Sequence, residues 1–172
     1  MIDWLLNMSA TLLSTAAACG PGVDSRGRFG LMAHTSLLGS LTIPGRPEAV
    51  SGVRAFTTGL LGRDCPTTAI AVLLVSELVT NSIQHSRSRC SGGIVAVTLK
   101  ALADGVRAEV HDEGSVTVPT LHREPSPAPT PDLQECGRGL RLVNALAARW
   151  GYCRDAASAV TWFELSETAP EQ

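Results

Sequence analysis

Apolar and polar positions divide the chain into stretches of different period. Ser36 to Ile43 (SLLGSLTI) is an apolar run that stops at Pro44, which predicts a short first strand. From Pro47 the pattern PEAVSGVRAFTTGLLGR sets Val50, Val53, Ala55, Phe56, Leu60 and Leu61 near one helical stripe, with Pro47 and Glu48 suited to a first turn. A helix is expected there despite two glycines. Asp64, Cys65 and Pro66 punctuate, and Thr67 or Thr68 can cap a second helix running to about His85. Its interior, TAIAVLLVSELV, is apolar almost all round, which predicts a central helix packed on both sides.

Ser86 to Gly93 reads as a turn region. Beyond it Ile94, Ala96 and Thr98 alternate with Val95, Val97 and Leu99, and Asp104-Gly105 supplies a hairpin signal, so two antiparallel strands follow. Val116 to Glu135 holds Pro119, Pro125, Pro127, Pro129 and Pro131 without usable periodicity, as expected of a functional lid or of disorder. Gly137 to Trp150 (GRGLRLVNALAARW) places Leu140, Val143, Leu146 and Ala147 on one face of a third helix. The strand-like runs YCRD and AVTWFELSE close the chain around the loop Asp155 to Ala159. Strands joined by short turns, with helices between the pairs, predict an α+β two-layer sandwich: a mixed, mostly antiparallel sheet with helices on one face. In this division 1–35 is a flexible extension, 36–168 the domain with a lid at about 116–136, and 169–172 a tail.

Bulk numbers narrow the functional classes. The 172 residues suit one domain, and 44% hydrophobic with 17% charged residues suits a soluble one. Net charge is -2 and Lys100 is the single lysine, so a nucleic-acid surface, which needs clustered cations, is not expected. Five widely spaced cysteines (Cys19, Cys65, Cys90, Cys136, Cys153) lack a CxxC pair, which favours reduced thiols over a disulfide framework or zinc. The N-terminal MIDWLLNMSATLLSTAAACGPG hints at a signal peptide, but no Lys or Arg precedes its apolar run and Asp3 stands in the way. That run is also too short to span a bilayer, so a cytoplasmic protein off the membrane is expected, with Met32 an alternative start.

The second helix carries the first chemical question, because SELVTNSIQHS sets Glu77, Asn81 and His85 at steps of four. At about 100° per residue they form a slowly turning polar stripe over roughly 12 Å, with Ser82 and Gln84 near its end. Burying a carboxylate and a carboxamide costs several kcal/mol without partners. The stripe therefore either faces water or meets something polar. Two further segments bear on this. In HDEGS, Asp112 can accept a hydrogen bond from an exocyclic amine, and Gly114 leaves room for a flat ring or a phosphate. In CGRGL, Gly137 and Gly139 would expose backbone N–H groups at a helix N-terminus, an anion site. Each is a common turn signal alone, and their order carries more weight than any one of them.

An ExxxN helix, a strand ending in DxG, a long loop and a GxGL helix start together resemble the three-box signature of the GHKL ATPases, the Bergerat ATP-binding fold of gyrase and histidine kinases. ELVTNSIQHS, then GRGLRLVNALAARWG and WFEL, resemble the anti-sigma-factor serine/threonine kinases of actinomycetes, from about Leu41 to Leu165. The resemblance implies ATP and Mg²⁺ as cofactors, with Asn81 as the magnesium ligand and Glu77 as the catalytic acidic residue. It implies adenine recognition by Asp112 with Gly114, and phosphate contacts from Gly137, Arg138, Gly139 and Leu140 beneath the lid. His85 either approaches phosphate or caps the helix C-terminus. Two departures stand out: Ser115-Val116 follows Gly114 where a second glycine is usual. The last strand reads SAVTWFEL where relatives often have GKTVWFEL, so the usual Thr falls on Val160, and Thr161 points to the opposite strand face.

As activity, the resemblance implies an ATP-dependent serine/threonine protein kinase that binds a sigma factor, phosphorylates a STAS-type anti-sigma-factor antagonist, and regulates transcription by partner switching as a homodimer. Two other readings stay open: a nucleotide-sensing interaction module of the same fold without kinase activity, and a ligand-free structural domain.

Overall fold

In the computed structural model, whose described residues are 35–115, 138–155 and 157–166, five strands pair into one sheet beside three helices. In chain order they are β1 (Ser36–Pro44), α1 (Val50–Leu61), α2 (Thr68–His85), β2 (Ile94–Leu102), β3 (Gly105–Asp112), α3 (Arg138–Leu146), β4 (Arg149–Arg154) and β5 (Ala159–Ser166). Single 3-10 turns, Pro47–Ala49 and Arg87–Arg89, follow β1 and α2. The strand order is β1-β2-β3-β5-β4, and every pairing is antiparallel. The expected α+β two-layer fold is present. No parallel pair occurs among the described residues, because a hairpin or a helix returns the chain to an antiparallel neighbour each time.

Period-2 alternation assigns the two faces of the sheet. Leu41 and Ile43, then Val95, Val97 and Leu99, Val106, Ala108 and Val110, and Phe163 and Leu165 point toward the helices and form the core. Helix α2 lies across β2 and β3, α1 packs on α2 and β1, and α3 bridges α2 and β4. The apolar interior of α2 is explained by this sandwiched position: Ala71, Leu74, Val75 and Val79 are all fully buried.

The opposite face carries charge instead of a second layer. Lys100 Nζ and Arg107 Nε reach Glu109 Oε1 at 2.8 Å each, Arg107 Nη1 reaches Glu164 at 2.9 Å, and Arg149 Nε reaches Glu164 at 2.7 Å. Arg107 also stacks its guanidinium 3.9 Å from the centre of the Trp162 ring. Two nearly buried carboxylates thus lie under partly exposed cations and an indole. Burial alone would raise the Glu109 pKa, but hydrogen bonds from His111, Lys100 and Arg107, with the Lys100 charge, hold it well below the usual carboxylate range.

Several local expectations change in three dimensions. The third helix ends at Leu146, and Arg149 and Trp150 belong to β4, because the Ala148 N–H turns to the Glu164 carbonyl and Trp150 pairs with Phe163. Leu146 is therefore exposed, while Leu140, Val143 and Ala147 enter the core. Thr67 occupies the N-cap position of α2 without a side-chain cap bond, and the Thr68 hydroxyl donates to the Gly62 carbonyl instead. The region between α2 and β2 is tightly held. The Ser88 carbonyl sits where a side chain at either Gly45 or Gly93 would stand, and Gly45 N–H donates to the Gly93 carbonyl at 2.9 Å. The expected extension, lid and tail fall almost wholly outside the described residues, and none of the described helices is long and apolar enough to cross a membrane.

Candidate functional site

Helix α2 turns two adjacent sides toward different neighbours, about 100° apart for consecutive residues. Its Glu77–Asn81 side meets the start of α3, and Ser82 meets the end of β3. Glu77 and Asn81 are half-buried, and His85, the last residue of the helix, is exposed. The contact with α3 is close. A methyl group on Gly139 would lie 2.7 Å from Asn81 Nδ2, 3.1 Å from Glu77 Oε2 and 3.3 Å from Glu77 Cβ. The missing side chain at Gly139 lets the helix start sit close on the stripe. The opening turn of α3 thus packs directly against the half-buried Glu77 and Asn81.

The residues next to Gly139 differ in what they can offer a ligand. Leu140 is buried in the core, so its contribution is limited to the main chain. Arg138 opens α3, its side chain is outside the described set, and Gly137 lies outside the described residues.

Asp112 ends β3 on the helix-facing side. Its Oδ2 accepts the Ser82 hydroxyl at 2.7 Å, and its Oδ1 accepts the Gly114 N–H at 2.7 Å. Gly114 has a φ of 72°, a left-handed turn that brings its N–H back to the carboxylate. Burial pushes the Asp112 pKa above its ordinary value, against the pull of Ser82, the Gly114 N–H and the His111 charge. Each Asp112 oxygen keeps acceptor capacity, so an incoming N–H donor can be received there. The Arg87–Arg89 turn carries this segment: the Arg87 N–H donates to the Gly114 carbonyl at 2.9 Å, and the Glu113 N–H donates to Ser88 Oγ at 3.0 Å.

Strand register also places Thr161. It pairs with Val110 and Tyr152, while Ala159 pairs with Asp112, so Thr161, Tyr152 and Asp112 share the helix-facing side. Val160, where the resemblance set the usual threonine, pairs with His111 and faces the charged side. The hydroxyl on Asp112's face is therefore that of Thr161. Burial and the Asp112 charge push the Tyr152 phenol up, and Arg154 offsets part of this.

The three motif segments thus converge on α2, with Glu77 and Asn81 against the α3 start and Ser82 against Asp112. Among the described residues no cluster of three or more His, Cys, Asp and Glu could cage a metal. The oxygen donors at the stripe suit instead a hard cation held mainly by a ligand's phosphates. A separate cavity of about 350 Å³ lies beyond α2, lined by Glu48, Arg54, Thr80 and Gln84 among others, and it contains none of these groups.

Sequence reasoning placed Ser82 near the stripe without a partner, and missed Arg87, Tyr152 and Arg154. Strand alternation from Asp112 through the β3–β5 register could have found Tyr152, but no local pattern marks Arg87.

A family model described as a histidine kinase-like ATPase domain matches residues 43–164. No curated protein sequence matches the chain. The solved RsbU and RsbW domains of Rv1364c from Mycobacterium tuberculosis are similar at 23% identity, with a TM-score of 0.49, over 74% of this chain and 32% of that one. The chain thus spans about a third of that structure's length.

Proposed function

The chain belongs to the histidine kinase-like ATPase domain family, and from that premise we propose that it is an ATP-dependent serine/threonine protein kinase of the anti-sigma-factor type. The observation that carries this reading is the seating of Gly139 on Glu77 and Asn81, which joins two of the motif segments at one place.

In the proposed complex Asp112 accepts the exocyclic amine of adenine, with Gly114 shaping the turn. Gly137, Arg138, Gly139 and Leu140 line the phosphate side, the glycines and Leu140 through main-chain N–H groups, while 116–136 forms the lid. Asn81 offers its amide oxygen to Mg²⁺, which when bound neutralises phosphate charge. Glu77 orients the acceptor hydroxyl and takes its proton, and positioning supplies the rest of the rate. His85, exposed at the helix end, faces the solvent side of this arrangement.

The acceptor is a Ser or Thr of a STAS-type antagonist, and the other partner is a sigma factor, exchanged according to nucleotide and phosphate state. The protein acts as a homodimer in the cytoplasm and regulates transcription through this exchange. The test is incubation with labelled ATP, Mg²⁺ and candidate antagonists. Label on Ser or Thr of an antagonist supports the kinase, and failure to bind ATP with or without Mg²⁺ sinks the reading. Val116, standing where the second glycine of a DxGxG box is usual, favours a second reading, a nucleotide-sensing interaction module. Tight ATP binding without transfer to any antagonist would select it.

A further inference from the structure

The second glycine of the family's box falls on Val116, and in the three residues before it, Glu113 to Ser115, every main-chain carbonyl is held. The Glu113 carbonyl accepts Arg87 Nε at 2.8 Å, the Gly114 carbonyl accepts the Arg87 main-chain N–H at 2.9 Å, and the Ser115 carbonyl accepts Arg154 Nη1 at 3.2 Å. Arg87 Nη2 reaches the Ala157 carbonyl at 3.3 Å, which ties the β4–β5 loop to the same point. A methyl on Gly114 would stand 3.4 Å from Arg87 Nη2, so the guanidinium lies directly against the turn. The two arginines come from different elements, the 3-10 turn after α2 and the edge strand β4.

Both arginines are exposed, so neither is needed to fill the core. Their donors go to main-chain carbonyls of this turn and of the β4–β5 loop beside it, and a charged donor makes a stronger bond than a neutral one. The same turn carries the Gly114 N–H that fixes Asp112 Oδ1. We infer that Arg87 and Arg154 are positioning residues that clamp the Glu113–Ser115 turn in the shape in which Asp112 receives a nucleobase. This rests on the nucleotide reading above.

Tyr152, the single tyrosine of the chain, reports on the clamp without a ligand, because it shares Asp112's side of the sheet and interacts with Arg154. The experiment compares wild type with Arg87→Gln, Arg87→Lys and Arg154→Gln. Without nucleotide, amide exchange at Gly114 and the phenolate absorbance titration of Tyr152 are measured. With nucleotide, ATP and GTP affinities are measured by equilibrium dialysis.

Arg87→Gln is expected to speed Gly114 exchange, to weaken ATP binding on the order of tenfold and to shrink the ATP over GTP preference, with thermal unfolding unchanged. Arg87→Lys keeps charge but not the fork, and should not restore binding. Arg154→Gln is expected to move the Tyr152 titration and to weaken ATP in the same sense. Faster exchange with unchanged ATP affinity and preference overturns the inference and leaves the proposed function standing. If the wild type binds neither nucleotide, the proposed function fails and takes this inference with it.

Discussion

The Ser82 hydroxyl donates to Asp112 Oδ2 at 2.7 Å, joining the polar side of α2 to the end of β3. This bond stabilises the charged carboxylate, while burial works against it and leaves the pKa raised overall. A raised pKa means the folded chain binds this proton more tightly than the unfolded one. Asp112 therefore favours the fold at low pH and loses that contribution as pH rises through its folded value. Base recognition runs the other way, since it needs the carboxylate as acceptor. ATP affinity is expected to fall on acidification at a pH above the ordinary aspartate range, with the midpoint higher still in Ser82→Ala. A midpoint unchanged by Ser82→Ala in calorimetric titrations across pH would remove this bond from the account.

Replacing Glu77 separates binding from transfer. With the proton acceptor gone, Glu77→Gln should keep ATP affinity within a few-fold while phosphate transfer drops at least about 100-fold. Transfer at the wild-type rate, measured with labelled ATP, would take Glu77 out of the mechanism.

At Gly139 two effects oppose each other. Alanine gains about 1 kcal/mol of helix propensity over glycine. The added methyl, however, meets Asn81 Nδ2 at 2.7 Å and Glu77 Cβ at 3.3 Å. Asn81 Nδ2 ends a rotatable side chain and can swing away, but Glu77 Cβ is fixed to the α2 backbone. Overpacking against it costs about 1–3 kcal/mol, so the steric effect should win. Gly139→Ala should unfold at lower denaturant concentration and bind ATP more weakly. A more stable variant would mean that α3 does not rest on the stripe in solution.

On the charged face, Glu109→Gln removes the carboxylate that Lys100 and Arg107 Nε share, while Arg107 Nη1 keeps Glu164. The loss should be about 2 kcal/mol at neutral pH. Because the folded-state pKa of Glu109 is depressed, its contribution is full above the ordinary glutamate range and is lost as pH falls from there toward the folded value. Urea unfolding of both proteins should accordingly converge under acid.

Thr57 is fully buried in α1, and its Oγ1 has no hydrogen-bond partner among the described residues. Valine has nearly the same shape and a similar helix propensity, and it removes the unsatisfied hydroxyl. Thr57→Val should raise stability by about 1 kcal/mol in urea unfolding. A destabilised variant would show that the hydroxyl does find a partner.

The sheet and helices were legible because their periods are local: Val95, Val97 and Leu99 alternate, and the interior of α2 is apolar on all sides. Failures came where tertiary pairing outweighs local pattern. Trp150 extends an apparent helix in sequence but pairs with Phe163 in the sheet. Of the site, the spacing of Glu77 and Asn81 could be read directly, since both lie on one helix. The support of the turn after Asp112 could not, because Arg87 reaches Glu113 through a contact that no periodicity encodes. Alignment on WFEL puts the usual threonine on Val160 and Thr161 on the other strand face, and only the register with Val110 reveals that Thr161's face is that of Asp112.

The Ser88 carbonyl, seated against Gly45 and Gly93, makes recognition chemistry hostage to positions that carry none. Ser88 Oγ accepts the Glu113 N–H, so a bulkier residue at either glycine would shift the same serine that steadies the Asp112 turn. Substitutions there should behave epistatically with Asp112, and a survey of tolerated changes would find the ligand's influence reaching the first strand.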